Sequence, residues 1–173
     1  HSGDWDAFVA KFDTNGDLVF STLLGGSEYE HITSVNVDTD NNIVIAGVTF
    51  STTFNVTADA YQSTPGGNGD GFITRITPTG ELNYSTYFGG TQTDWIYGME
   101  FDASGNMMFS GWTLSDGLGT SGTYQASKST AADAYVAKIR SDGSDIIGFS
   151  YFGGSGDDRG WSMTIDDSNN FVI

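Results

Sequence analysis

The sequence predicts an all-β protein assembled from repeats, and three observations carry that prediction. The first is an echo about 64 residues apart. Asp6-Ala7-Phe8-Val9-Ala10-Lys11-Phe12 returns as Asp70-Gly71-Phe72-Ile73-Thr74-Arg75-Ile76, and again as Asp133-Ala134-Tyr135-Val136-Ala137-Lys138-Ile139. Downstream, Ser21-Thr22-Leu23-Leu24-Gly25-Gly26 is echoed by Ser85-Thr86-Tyr87-Phe88-Gly89-Gly90 and by Phe149-Ser150-Tyr151-Phe152-Gly153-Gly154. The second observation is that each unit divides into short runs of β character, while no segment carries a 3.6-residue apolar stripe with helix caps. The third is the punctuation, since the runs are separated by clusters of Gly, Asn and Asp that suit tight turns.

In the first unit, Ala7–Phe12 alternates in character and is followed by the turn signal Asp13-Thr14-Asn15-Gly16-Asp17. Leu18–Leu24 is the second run, closed by Gly25-Gly26. Ile32–Val37 alternates and ends at Asp38, Asp40-Asn41-Asn42 turns the chain, and Ile43–Thr49 is the fourth run. The second unit gives Phe72–Ile76, Leu82–Phe88, Ile96–Phe101 and Met107–Thr113. The third gives Tyr135–Ile139, Ile147–Phe152, Trp161–Ile165 and Phe171–Ile173. Gly16, Gly80 and Gly143 sit in the turns after the first runs, and Asn or Gly in those after the third, where hairpins require positive φ. Runs joined so tightly pair antiparallel. Four antiparallel strands per unit, stacked side by side, are the signature of a β-propeller blade. Solenoid rungs are shorter, and tandem sandwiches need about 100 residues per unit.

The pattern D-A-F-V-A-K-F, S-T-x-x-G-G, V-D-x-x-x-N-x-x-x-x-G-x-T, and an A-Y-Q loop (Asp59-Ala60-Tyr61-Gln62; Thr123-Tyr124-Gln125-Ala126) resembles the SBBP β-propeller repeat over essentially the whole chain. The resemblance implies an extracellular place, in large secreted or cell-surface proteins of bacteria and archaea. It implies no enzyme activity and transfers no catalytic residues. The run before Asp38, Asp102 and Asp166 resembles the innermost strand of related repeats. On that phase, residues 1–26 are an outer half-blade, 31–89 and 95–153 are complete blades, and 160–173 are an inner half-blade. The two halves are complementary. Propellers use typically four to eight blades, so the expected ring is completed by further repeats or by another copy of the chain, with the excerpt favoured.

Composition narrows the function classes. A formal net charge of −16 with six Lys and Arg argues against nucleic acid and anionic membrane surfaces. There is no cysteine for a disulfide framework or thiolate site, and no stretch reaches transmembrane length.

In a propeller, the loops leading into the innermost strands share one face with the long loops 50–69 and 114–132, and long loops on a rigid scaffold are the usual place for binding. Glu30, Asp94 and Asp158 recur there, each followed by a different residue: His31, Trp95 and Arg159. A ring of such carboxylates suits Ca²⁺ or a cationic partner, so Glu30, Asp94 and Asp158 are the calcium candidates and no other cofactor is expected. The competing expectation is that each carboxylate accepts N–H groups of its own Gly-rich turn. Trp5, Trp112 and Trp161 are expected to pack between sheets. Trp95, beside Asp94, is the best ligand contact, with Arg159 nearby. The Asp13–Asp17 and Asp38–Asn42 turns lack the Gly and distal Glu of an EF-hand and read as hairpins. Asn55-Val56-Thr57 is a candidate glycosylation sequon in an exposed loop. His31 has no repeat-wide counterpart, and no nucleophile–base arrangement stands out.

The expected function is a non-catalytic extracellular module for adhesion or protein contact, with a protein or glycan at the cell surface as partner. The alternatives are a carbohydrate-binding or carbohydrate-processing propeller, resting on Trp95 and the acidic loops, and a structural spacer or filament subunit.

Overall fold

The computed structural model describes residues 3–173. Among them there is no helix, and twelve strands form in chain order. They are β1 Ala7–Phe12, β2 Leu18–Leu24, β3 Glu30–Val37, β4 Ile43–Thr49, β5 Asp70–Ile76, β6 Leu82–Phe88, β7 Asp94–Phe101, β8 Met107–Thr113, β9 Asp133–Ile139, β10 Ile146–Phe152, β11 Thr164–Ile165 and β12 Phe171–Val172. All ladders between them are antiparallel. The sheets are β1-β2, β3-β4-β5-β6, β7-β8-β9-β10 and β11-β12.

The strands fall where the apolar runs lie, with differences at their ends: β5 and β9 begin at Asp70 and Asp133, two residues before Phe72 and Tyr135, β10 begins at Ile146, and β12 ends at Val172. β3 and β7 begin at Glu30 and Asp94, earlier than their first apolar residue, because these carboxylates stand opposite Thr49 and Thr113 in the ladder. The run expected over Trp161–Ile165 shortens to Thr164–Ile165. Its register, Thr164↔Val172 and Ile165↔Phe171, leaves Trp161 and Ser162 without a strand residue opposite them.

Successive sheets pack face to face. Val44, Ala46, Ile73 and Phe88 on one face of the first four-stranded sheet meet Ile96, Phe109, Tyr135 and Phe149 of the second. The opposite face presents Ile43, Ile45, Phe72 and Tyr87, which pack with Val9, Phe20 and Leu24 of the β1-β2 pair. β4 and β8 are buried along their whole length, hence their unbroken apolar runs; a strand covered on both faces has no polar side to alternate with.

The turns carry their own chemistry. Residues 41, 105 and 169 occupy one repeat position, and Asn41, Gly105 and Asn169 all have positive φ (62°, 76° and 61°), a region open chiefly to Gly and Asn. In each of these turns an aspartate folds back on the backbone. Asp38 Oδ1 accepts from Asp40 N and Asn42 N at 2.9 Å each, and Asp102 and Asp166 do the same. The carboxylates of these turns hold the hairpins.

Candidate functional site

The Gly-Gly turns leading into β3 and β7 are built around a buried acid. Glu30 Oε2 accepts Gly26 N at 3.0 Å, while Oε1 accepts Thr49 Oγ1 at 2.7 Å and Ser51 Oγ at 2.5 Å. Asp94 repeats the arrangement. Its Oδ2 accepts Gly90 N at 2.7 Å and Ser115 Oγ at 2.8 Å, and its Oδ1 accepts Thr113 Oγ1. Both acids are buried. Burial is the largest influence on Asp94, pushing its pKa up to about 6; the hydroxyl and backbone donors pull against it, and the charge of Asp70 adds to the rise. Asp158 accepts Gly154 N at 2.7 Å and is half-buried.

These three carboxylates serve their own turns, and the structure does not bring them together. Among the described residues no three His, Cys, Asp or Glu side chains gather where a metal ion would sit. The motif G-x-T acquires a reason here. β3 and β7 shift register after Ile32 and Ile96, bulges that press the chain against β4 and β8. A Cβ on Gly47 or Gly111 would overlap the carbonyl oxygen of His31 or Trp95. Two residues on, Thr49 or Thr113 clamps the acid.

The long loops are also structural. Thr57 N donates to Ser85 O at 3.0 Å and Tyr87 N to Gln62 O at 3.1 Å, so residues 50–69 run along the outer edge of β6. Residues 114–132 do the same on β10 through Thr120 N to Phe149 O (3.0 Å) and Tyr151 N to Gln125 O (2.9 Å). Gln62 Oε1 accepts Gly89 N and Gln125 Oε1 accepts Gly153 N, which gives the A-Y-Q glutamine its task. Both loops thereby cover the outer sheet edges. Asn55 is exposed in the first of them.

What the fold does assemble is an aromatic strip across the sheets. Trp5 and Tyr29 are 6.1 Å apart between ring centroids; Tyr29 meets His31 at 6.1 Å and Phe50 at 5.8 Å. Both of these reach Trp95, at 6.0 and 6.4 Å. Trp95 stacks on Tyr97 (5.5 Å, 18° between planes) and on Trp112 (6.1 Å, 16°). Tyr97 continues to Trp161 at 4.6 Å. The Arg159 guanidinium lies 4.7 Å from the centre of the Trp112 ring, close enough for a cation–π contact, and Arg159 also pairs with exposed Asp157 at 3.8 Å. The Tyr29 hydroxyl and His31 Nδ1 are 2.8 Å apart.

The strip is open to solvent where the sequence predicted packing. Trp112 is buried, but Trp5 and Trp161 are 71% and 62% exposed. They lie beside the two-stranded sheets. Beneath Arg159, the Trp112 indole N–H is buried with no hydrogen-bond acceptor among the described residues. Sequence reasoning found Trp95 and Arg159 and missed Tyr29, Phe50 and Tyr97. These three have no aromatic counterpart at the same position in every unit, so no repeat signal marks them, and only the packing of sheet on sheet aligns them.

No family model matches the chain. The regulatory protein FlaEY of Caulobacter vibrioides is 27% identical over 142 residues, a match that takes in 82% of this chain and 15% of that protein's length. The chain is therefore similar to a small part of a much longer bacterial protein.

Proposed function

We propose that the chain is part of a β-propeller of the SBBP type, in a secreted or cell-surface protein, and that it works as a non-catalytic binding module for adhesion or protein contact. The propeller reading is supported by the four-stranded antiparallel sheets that repeat along the chain and pack face to face. The binding reading rests on one observation. The aromatic strip centred on Trp95 is part-exposed and continuous across the sheets, ends in exposed Trp5 and Trp161, and covers an unmet indole donor. Aromatic and Arg side chains dominate binding hot spots because they offer large area at low entropic cost. The acids behind the strip are buried in their own turns. They serve as scaffold and not as acid–base groups.

A second reading, carbohydrate binding, is favoured by the near-parallel rings of Trp95, Tyr97 and Trp112, which offer flat faces for a sugar ring. One experiment separates the two. The immobilised chain retains intact cells; Trp95→Ala and Trp161→Ala each lower retention about tenfold, the loss of about 1.4 kcal/mol of contact. Protease treatment of the cells removes retention if the partner is a protein, and periodate removes it if the partner is a glycan. Retention unchanged in both variants overturns the strip as the contact surface.

A further inference from the structure

Four rings close a cycle where the first four-stranded sheet meets the second. Tyr29 neighbours His31 at 6.1 Å and Phe50 at 5.8 Å, and both of these neighbour Trp95, at 6.0 and 6.4 Å. Around the cycle the successive planes are inclined by 74°, 68°, 70° and 60°, as the walls of a box are. At such separations a group at the centre of a square box lies about 4–4.5 Å from every ring, within cation–π range. His31 and Phe50 are exposed and Tyr29 and Trp95 half-buried, so the box is open to solvent. Two backbone features hold it. Phe50 N donates to Tyr29 O at 2.9 Å, which carries the β3-β4 ladder one pair further and sets these two residues opposite each other. A Cβ on Gly69 would lie 2.7 Å from the Phe50 ring, so this glycine makes room for it. The repeat does not demand the rings. The counterparts of Tyr29, His31, Phe50 and Trp95 one unit on are Thr93, Trp95, Leu114 and Arg159, yet Leu114 N still donates to Thr93 O at 2.9 Å.

We infer that this box takes the trimethylammonium group of a methylated lysine on a basic protein segment, an inference that rests on the reading of the strip as a binding surface. Aromatic faces are electron-rich, and several of them around one point attract a cation that has shed its water. The surroundings favour positive charge. Glu28 is exposed beside Tyr29, Glu30 and Asp94 stand directly before His31 and Trp95, and the chain carries a formal charge of −16. Among the described residues the cation–π contacts of the chain's own Arg side chains go to Tyr84 and Trp112, so neither occupies the box. The walls also select the kind of cation. The Tyr29 hydroxyl and His31 Nδ1 bind each other at 2.8 Å, which leaves few acceptors for the N–H groups of an unmodified ammonium. A quaternary nitrogen has no N–H to satisfy, and its methyl groups match the ring faces. None of the four wall residues is Lys or Arg, so the phosphate of a phosphocholine finds no counter-charge there, whereas a basic peptide complements the acidic chain.

The experiment titrates the 173-residue chain into a fluorescein-labelled basic peptide with one trimethyllysine, followed by polarisation. The same peptide is also made with unmodified lysine, and with carbon in place of the quaternary nitrogen. The trimethyllysine peptide is expected to bind with a Kd of about 10–100 μM, and each of the other two about tenfold more weakly. This comparison uses the unaltered protein and needs no variant to fold. Phe50→Leu and Trp95→Leu keep apolar bulk and lose a ring face; each is expected to weaken binding about tenfold while keeping the β circular-dichroism spectrum. Tyr124→Ala, exposed and outside the strip, leaves binding unchanged. Equal affinity for the three peptides, leucine variants that bind like the unaltered chain, or phosphocholine that competes as well as free trimethyllysine would each overturn the inference. Cell retention that depends on Trp95 alongside equal peptide affinities overturns the box alone and leaves the strip as a contact surface.

Discussion

Phe72 and Phe8 occupy the same position of the same repeat and live in different worlds. Phe72 is sealed between β1-β2 and the first four-stranded sheet; Phe8 faces solvent from the outer side of β1. Burial in this molecule therefore belongs to the joint between units and not to the unit, as expected of a stack in which each repeat contacts only its neighbours. Truncating both side chains separates the joint from the unit. Phe72→Ala is expected to cost about 3–5 kcal/mol, the range for emptying a packed core position. Phe8→Ala is expected to stay within about 0.5 kcal/mol in dilute protein. Urea unfolding at low concentration measures both, and equal losses would sink the argument.

The next largest effect lies in two acids at opposite ends of β7. Asp94, inside its hydroxyl clamp, titrates near 6 because burial disfavours its charge. Asp102, at the opposite end of β7, is held well below the usual carboxylate range. Burial works against its charge there too, but Lys138 Nζ at 2.5 Å and the Asn106 and Ser104 donors outweigh it. The signs differ. For Asp94 the folded state binds the proton more tightly than the unfolded chain, so its contribution is fullest below about pH 4 and is lost as pH rises to 6, by up to about 3 kcal/mol. For Asp102 stability is present above the unfolded pKa and is lost as pH falls below it. Asp94→Asn is expected to flatten the fall between pH 4 and 6 and leave the acid limb in place, as read from urea midpoints across that range. An unchanged profile would mean that water or rearrangement relieves the buried charge.

The smallest effect belongs to the turns. Asn41→Ala is expected to cost about 1 kcal/mol, since an alanine resists positive φ, whereas Asn41→Gly should be nearly neutral, as Gly105 stands at the same position one unit on. Thermal melts of the two variants distinguish backbone conformation from side-chain contact, because an amide contact would make both costly.

How much of this was legible in the sequence follows from how local each cause is. The strands, their grouping and the Asn41, Gly105 and Asn169 turns were readable because period-2 patterning and turn chemistry act within a few residues. The recurring acids at 30, 94 and 158 were visible as a pattern, but the hydroxyls that hold the first two were not paired with them, since Thr49 and Ser51 reach Glu30 only across a completed hairpin. Loops 50–69 and 114–132 looked free because their partners, Ser85 to Tyr87 and Phe149 to Tyr151, come later in the chain and meet them only through the sheet. The aromatic strip was the least legible part. Tyr29, Phe50, Trp95 and Trp161 fall at different positions of different units, and no single period joins them.

The loops laid along β6 and β10 have a consequence for how such chains multiply. Each occupies the outer backbone edge of its own sheet through Thr57, Gln62, Thr120 and Gln125, so that edge offers no free strand for sideways cross-β recruitment. Tandem duplication of the unit therefore adds sheets face to face rather than edge to edge. Lengthening a protein of this design by whole units adds no bare outer edge of the β6 or β10 kind.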